Sequence, residues 1–442
     1  MPFDIIVGRN ESDKKVFGKR GLAFIGKSFV TMGNYTSLSN PIYMDVARSH
    51  VVLVSGKRGS GKSYSCGTIA ESLSDLGVEE SGNIASLIFD TMGIFWTMKY
   101  KNAKDGDLLD EWGLKAKNVP VKVFAPFGYF REYKDKGIDV DAEFAIKISE
   151  LEPTDWVTLF DLKFTDSIAV LIESAISRLK KSEVGSRKSE VSFGFGEIYS
   201  AIEEADKVSQ EVKNSARALF VAAETWKVFD EARGTKVRDL ISAGETTVID
   251  LSMYASLGSF NVRALIIGLV SKKIFNERMA ARKDEEIQAV QHSSVVDGRW
   301  SMVGRDMPLV WIFIDECHEF LPREGKTPAT DALVQLLREG RQPGISMVMA
   351  TQQPGKIHTD AITQSDIVIS HRVTAKLDVE ALNDITQSYM YSSISDKLNE
   401  LPKLKGAAII LDDNSERIYP MRIRPRFTWH CGEAPTAIRR SV

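Results

Sequence analysis

The sequence predicts an α/β fold of P-loop type: a mostly parallel sheet carrying a phosphate-binding loop, with a small N-terminal β module and a helical insertion. Three observations predict it. The stretch GKRGSGKS at 56–63 directly follows the apolar run VVLVS. Further apolar runs, continuous rather than alternating, recur between helical stretches, as expected of strands buried on both faces of a parallel sheet. A long segment between two of those runs has helical spacing and no strong strand signal.

Taken in order, residues 1–45 read as the β module, because LAFIG, SFVTMG and PIYMDV are short β-like runs separated by Gly, Asn and Ser turns. Residues 46–130 hold the first part of the core. There VVLVS at 51–55 is a buried strand, SYSCGTIAESLSDL at 63–76 a helix with Ile69, Leu73 and Leu76 on one side, and ASLIFD and VKVFAP two more strands. Residues 131–234 are the helical insertion, with helical periodicity at 166–181, 195–206 and 213–230. Residues 235–430 return to the core through TTVIDLS, LVWIFID, ISMVMATQ, DIVISHR and GAAIILD, and 431–442 form a tail. The polar stretch 282–308 is expected to be an exposed loop.

Composition limits the function classes. At 442 residues, 43% hydrophobic and 26% charged, the chain can bury a substantial core. No apolar stretch approaches the ~20 residues of a membrane span, and the start lacks a secretory apolar region, so a cytoplasmic protein with no membrane partner is expected. Cys66, Cys317 and Cys431 match no zinc or disulfide spacing. A net charge of -3 argues against a broadly basic nucleic-acid coat but leaves a local channel open. Two basic clusters, 177–190 and 417–426, are each read as a solvated face, a subunit contact or a DNA contact.

The chemistry starts at the glycine-rich loop. G-x-x-x-x-G-K-[ST] lets successive backbone N–H groups point at phosphate oxygens at a helix N-terminus. The nucleotide-binding segment is therefore Gly56, Lys57, Arg58, Gly59, Ser60, Gly61, Lys62, Ser63 and Tyr64. Lys62 would reach the β and γ phosphates of ATP, and the Ser63 hydroxyl would ligate Mg²⁺. LVWIFIDECHEFLP places Asp315 and Glu316 at the end of a buried strand, the first to hold Mg²⁺ through water, the second to orient and deprotonate the attacking water. ISMVMATQQP ends in Gln352 and Gln353, amides that could sense the γ-phosphate. Arg338 and Arg341 stand near a helix end, either to complement its dipole or to stabilise transition-state charge in a neighbouring subunit. His318 reads as a polar residue at a helix start, ahead of a contact with a neighbouring subunit, Cys66 as core, Trp96 and Trp226 as packing anchors, and His430 with Cys431 as no metal site.

The P-loop, FDTMGIFW, VIDLS, DECHEFLP, REGRQPGISMVMATQQP and the closing RIRPRFTWHCGEAP together resemble the HerA branch of the HerA and FtsK superfamily of hexameric translocase ATPases. The resemblance spans nearly the whole chain. It implies a RecA-like ATPase core, with Lys62 and Ser63 on phosphate and magnesium, Asp315 and Glu316 in hydrolysis, Gln352 in sensing, and Arg341 with Arg338 in the neighbouring site. It also implies an ATP-driven helicase or translocase, a homohexameric ring around double-stranded DNA, and a separate nuclease or other effector in DNA repair or antiviral defence. The β module is shorter than that family's barrel, Cys317 stands where a small Ala is usual, and HCGEAP replaces His-Gly-Gly. Two other classes compete: an ATP-regulated scaffold for an effector, and a conjugation or secretion ATPase, which the lack of a spanning segment disfavours.

Overall fold

The computed structural model describes residues 3–32, 35–182, 192–255, 260–293, 307–386 and 394–431. Its strands are, in chain order, Ile5–Val7 (β1), Leu22–Met32 (β2), Tyr35–Asp45 (β3), Val51–Ser55 (β4), Ile84–Asp90 (β5), Val121–Pro126 (β6), Ala142–Phe144 (β7) and Ile146–Lys147 (β8). Then come Phe229–Asp230 (β9), Thr246–Asp250 (β10), Leu309–Ile314 (β11), Ile345–Thr351 (β12), Ile367–His371 (β13), Ala407–Asp412 (β14) and Arg417–Ile423 (β15). A 13-stranded sheet runs in the order β1, β3, β2, β15, β14, β13, β4, β12, β11, β5, β10, β6, β7. From β13 to β7 all pairings are parallel, and β13 through β15 to β2 and β3 are antiparallel. This is the α/β, P-loop architecture that the apolar runs predict.

Alternation within each strand divides the core between the two faces. Val52 and Val54 of β4 join one apolar cluster with Cys66, Ile69 and Leu73 of the helix after the P-loop, while Leu53 faces the other cluster with Leu87, Phe89 and Ile312. Helices cover both faces, so the parallel strands stay dry on each side. Cys66 is core, as its place on the helix predicts.

Two segments depart from the sequence reading. LAFIG and SFVTMG are one strand, β2, carried through irregularities between Phe24 and Gly26 and between Lys27 and Phe29. The expected loop at 282–308 begins as the end of a 34-residue helix, Phe260–Ser293. Arg282 pairs with Glu285 at 3.3 Å and with Glu286, three and four residues on, and such pairs extend a helix of good formers past the core. Residues 294–306 of that stretch lie outside the described residues, as do 183–190 of the first basic cluster and the tail from 432.

Between β8 and β9, helices Pro153–Leu159, Ser167–Ser182, Phe195–Glu203 and Gln210–Glu224 pack around Trp156. Its ring lies 4.9 Å from Phe220, 5.1 Å from Phe229 and 6.2 Å from Phe195. Trp226 joins the same aromatic group, which fits its reading as an anchor. Among the described residues no helix is long and apolar enough to cross a membrane.

Candidate nucleotide site

Parallel topology brings the predicted chemistry to one edge. β4, β12 and β11 are neighbours pointing the same way, so the P-loop, Gln352 and Asp315 all emerge at their carboxyl ends. The loop turns on Gly56, Gly59 and Gly61, all with positive φ. A Cβ on Gly56 would lie 2.4 Å from Ser60 Oγ and 2.7 Å from His371 Cβ, so only glycine fits. Helix Lys62–Ser74 follows with no side-chain cap, leaving its first N–H groups for an anion. Lys62 is buried, with Nζ 3.5 Å from the Lys57 carbonyl. The Ser60 hydroxyl is buried with no partner. Lys57 and Arg58 are exposed.

Ser63 Oγ donates to Asp315 Oδ2 at 2.6 Å. The two oxygens fit a hard divalent cation, which prefers one or two protein oxygens and completes its shell with water and phosphate. Burial raises the Asp315 carboxyl above the usual range, against the Ser63 hydrogen bond and the Lys62 charge that favour its ionised form; a cation here would add to that offset. Among the described residues no group of three His, Cys, Asp or Glu forms a metal site of its own.

Glu316 stands in the left-handed region, φ 49° and ψ 43°, a conformation that costs a non-glycine residue about 1–2 kcal/mol. It turns the carboxylate toward β12. Oε1 accepts from Gln352 Nε2 at 2.7 Å, while Oε2 is buried without a hydrogen bond. Burial, then the charge of Asp315, raises its pKa. One oxygen is thus fixed and the other is free to accept a proton.

Several groups that shape this edge escaped the sequence reading. His371, at the end of β13, forms the floor of the P-loop: it receives the Ser65 hydroxyl at Nε2, 2.8 Å, and donates from Nδ1 to the Ala407 carbonyl, 3.1 Å. Burial pushes it down to about 4, so it is neutral. His318 stands in the short helical turn Cys317–Glu319, and its ring also lies 3.2 Å from Thr351 Oγ1 and 3.3 Å from Gln353 Nε2. On the next strands Asp90 caps its own loop by accepting from the N–H groups of Met92, Gly93 and Phe95, and Asp250 accepts from Tyr133 and Ser252. Burial raises both carboxyls, and for Asp90 the charge of Asp250 adds to it.

Three predicted residues lie elsewhere. Tyr64 turns its hydroxyl to the Arg426 N–H, 2.7 Å, and its ring to His430. Arg338 pairs with Asp360 at 2.7 Å, and Arg341 is exposed in the turn before β12. Both arginines therefore lie toward the amino end of β12, about 20 Å along the strand from Gln352 at ~3.3 Å per residue.

The second basic cluster is partly interior. Arg424 and Arg426 are buried against Glu71, in the P-loop helix, at 3.2 Å and 2.8 Å. This corrects its reading as a solvated face, subunit contact or DNA contact for those two residues; burying them without Glu71 would leave bare charge in the core.

A family model described as Helicase HerA, central domain, matches residues 30–274, more than half of the 442. The chain belongs to this family. It is similar to a probable DNA double-strand break repair helicase HerA of Methanocaldococcus jannaschii, 23% identical over 153 residues, 32% of this chain and 29% of that protein. It is also similar to the DNA double-strand break repair helicase HerA of Pyrococcus furiosus, 22% identical over 180 residues, 39% of this chain and 31% of that one. The chain thus spans about a third of these relatives' length. Among solved structures, VirB4 of Thermoanaerobacter pseudethanolicus matches with a TM-score of 0.53 at 11% identity, covering 92% of this chain and 97% of that one. At that identity the likeness establishes the fold, that of RecA-like P-loop ATPases. The HerA family reading and the architecture read from the sequence therefore both stand.

Proposed function

We infer that the chain is an Mg²⁺-dependent ATPase whose turnover drives double-stranded DNA through a homohexameric ring, working with a nuclease or other effector. The observation that carries this is the joining of Ser63 to Asp315 and of Glu316 to Gln352 across neighbouring strands. The P-loop N–H groups and Lys62 would hold the phosphates. Bound Mg²⁺ would neutralise charge on the β and γ oxygens. Glu316 Oε2 would orient the attacking water and take its proton, with Oε1 held by Gln352. Loss of the γ-phosphate would take that group out of reach of the Gln352 amide, leaving its contact with Glu316 alone, and so report hydrolysis to β12.

Membership of the HerA family supports the DNA substrate, and the names of the two relatives point to double-strand break repair. Arg341 and Arg338, far from their own P-loop, fit a role in a neighbouring copy's site. The test is the ATPase rate with and without long double-stranded DNA, alongside mass by light scattering. Stimulation by DNA in a six-subunit particle is the expected result. A hexamer with no stimulation would replace the motor by an ATP-switched scaffold, and a monomer without ATPase would overturn the reading.

A further inference from the structure

His318 sits where Glu316 meets β12. Its Nε2 faces Gln353 Nε2 at 3.3 Å, an amide nitrogen that can only donate, so Nε2 accepts and the ring proton belongs on Nδ1. That Nδ1–H lies 3.2 Å from Thr351 Oγ1 and 3.6 Å from Glu316 Oε2, the carboxylate oxygen without a hydrogen bond. Thr351 Oγ1 in turn accepts from the Gln353 N–H at 3.0 Å. The imidazole is thus placed between the hydrolytic carboxylate and the strand end that carries both glutamines. Burial keeps it neutral by lowering its pKa.

We propose that His318 is a positioning residue for hydrolysis, tying Glu316 to Thr351 and Gln353 so that the water-activating carboxylate and the γ-phosphate-reporting strand end move as one unit. This rests on the hydrolytic reading of Glu316. A neutral Nδ1–H close to Oε2 limits where that oxygen swings without removing its capacity to accept a proton. The link through Thr351 then transmits a shift of β12 to the carboxylate, complementing the direct Gln352 contact to Oε1.

The experiment is steady-state ATPase of the full chain with nucleotide binding measured separately, in the wild type, His318→Ala, His318→Asn and His318→Gln. Asn places its amide nitrogen where Nδ1 stands, whereas Gln places it where Nε2 stands. The expected result is a kcat reduced about 10–100-fold in His318→Ala with KM unchanged, as for losing a group that orients a reacting one. Asn should restore most of the loss and Gln little. Unchanged kcat in His318→Ala, or a raised KM with kcat held, overturns the inference. Should the alanine variant fail to fold, the other two decide: a higher kcat with Asn than with Gln supports it, and equal values overturn it. A wild type without ATPase overturns the hydrolytic reading and this inference together, while an active wild type matched by His318→Ala overturns this inference alone.

Discussion

The P-loop helix carries charge chemistry at both ends of its 13 residues, and the two ends are built on opposite terms. Around Glu71 all is paired. Arg424 sends its N–H groups to Glu71 Oε2, Ser72 Oγ and the carbonyls of Phe24, Thr68 and Pro425, and Glu71 accepts also from Arg426, Phe427 and Thr428. Around Ser63 pairing is incomplete: Ser60 Oγ and Glu316 Oε2 are buried without hydrogen bonds, and two acids share a pocket with Lys62. The first arrangement fastens the C-terminal strand and its extension to the helix. The second leaves groups unmet that, on the proposed function, would take a triphosphate, a cation and a water. Unpaired polar atoms elsewhere, such as Trp156 Nε1, show that only their convergence with charged groups marks a site.

The strongest way to break this contrast is Glu71→Gln. It leaves two buried guanidinium groups without a counter-charge, a loss of about 3–5 kcal/mol. The denaturation midpoint should fall sharply, and bound ATP should recover only part of it. A midpoint within error of wild type would mean that the cluster is not the anchor described. Glu316→Gln should act in the reverse sense. Removing the proposed general base should lower kcat roughly 10²–10⁴-fold while ATP still binds. Stability should hold or rise, because a carboxylate destabilised by burial and by Asp315 becomes a neutral amide. A large fall in the melting midpoint would refute that.

How far each end was legible in the sequence follows from range. Lys62, Ser63, Asp315, Glu316 and Gln352 each end or follow a continuous apolar run, and parallel strands deliver such ends to one edge whatever their separation in the chain. The fold was legible for the same reason. Glu71 was not: it is a charged residue inside a helix, and its partner Arg424 lies 353 positions away. The strand β15 hid behind its arginines, although Met421 and Ile423 show the alternation of a half-buried strand. His318 and His371 needed the register of β12 and β13 before their partners could be known. The helix past residue 282 was misread because polar composition was taken for a loop, when Arg and Glu at helical spacing extend a helix equally well.

Protonation offers a sharper reading of the unmet site. The pKa values of Asp315 and Glu316 are raised in the folded, nucleotide-free chain, so that state binds protons more tightly than the unfolded chain does. Their stabilising contribution is therefore full below the ordinary carboxylate pKa and is lost as pH rises through the raised values. Activity has the opposite sign. As the proposed base, Glu316 must be ionised to take a proton, so kcat should fall as pH drops through a value above the usual glutamate range. Melting midpoints and kcat across mildly acidic pH should thus move in opposite directions, and Glu316→Gln should flatten the stability trend. Parallel trends would locate the titrating group elsewhere.

The smallest effect is expected where a charge pair is exposed and belongs to neither end of the helix. Arg338 bonds Asp360 at 2.7 Å, but its side chain is 60% exposed, and such a pair contributes about 0–1 kcal/mol. Arg338→Ala should leave the melting midpoint of the isolated chain nearly unchanged. If Arg338 or Arg341 completes a neighbour's site, alanine there should lower ATPase only in the assembled state. Mixing either variant with Lys62→Ala chains should then restore some turnover, because each interface draws its P-loop from one copy and its arginine from another. Arg341 should give the larger effect, having no carboxylate partner in its own chain among the described residues to hold it back. Mixtures no more active than the sum of their parts would return both arginines to the role of helix-end charges.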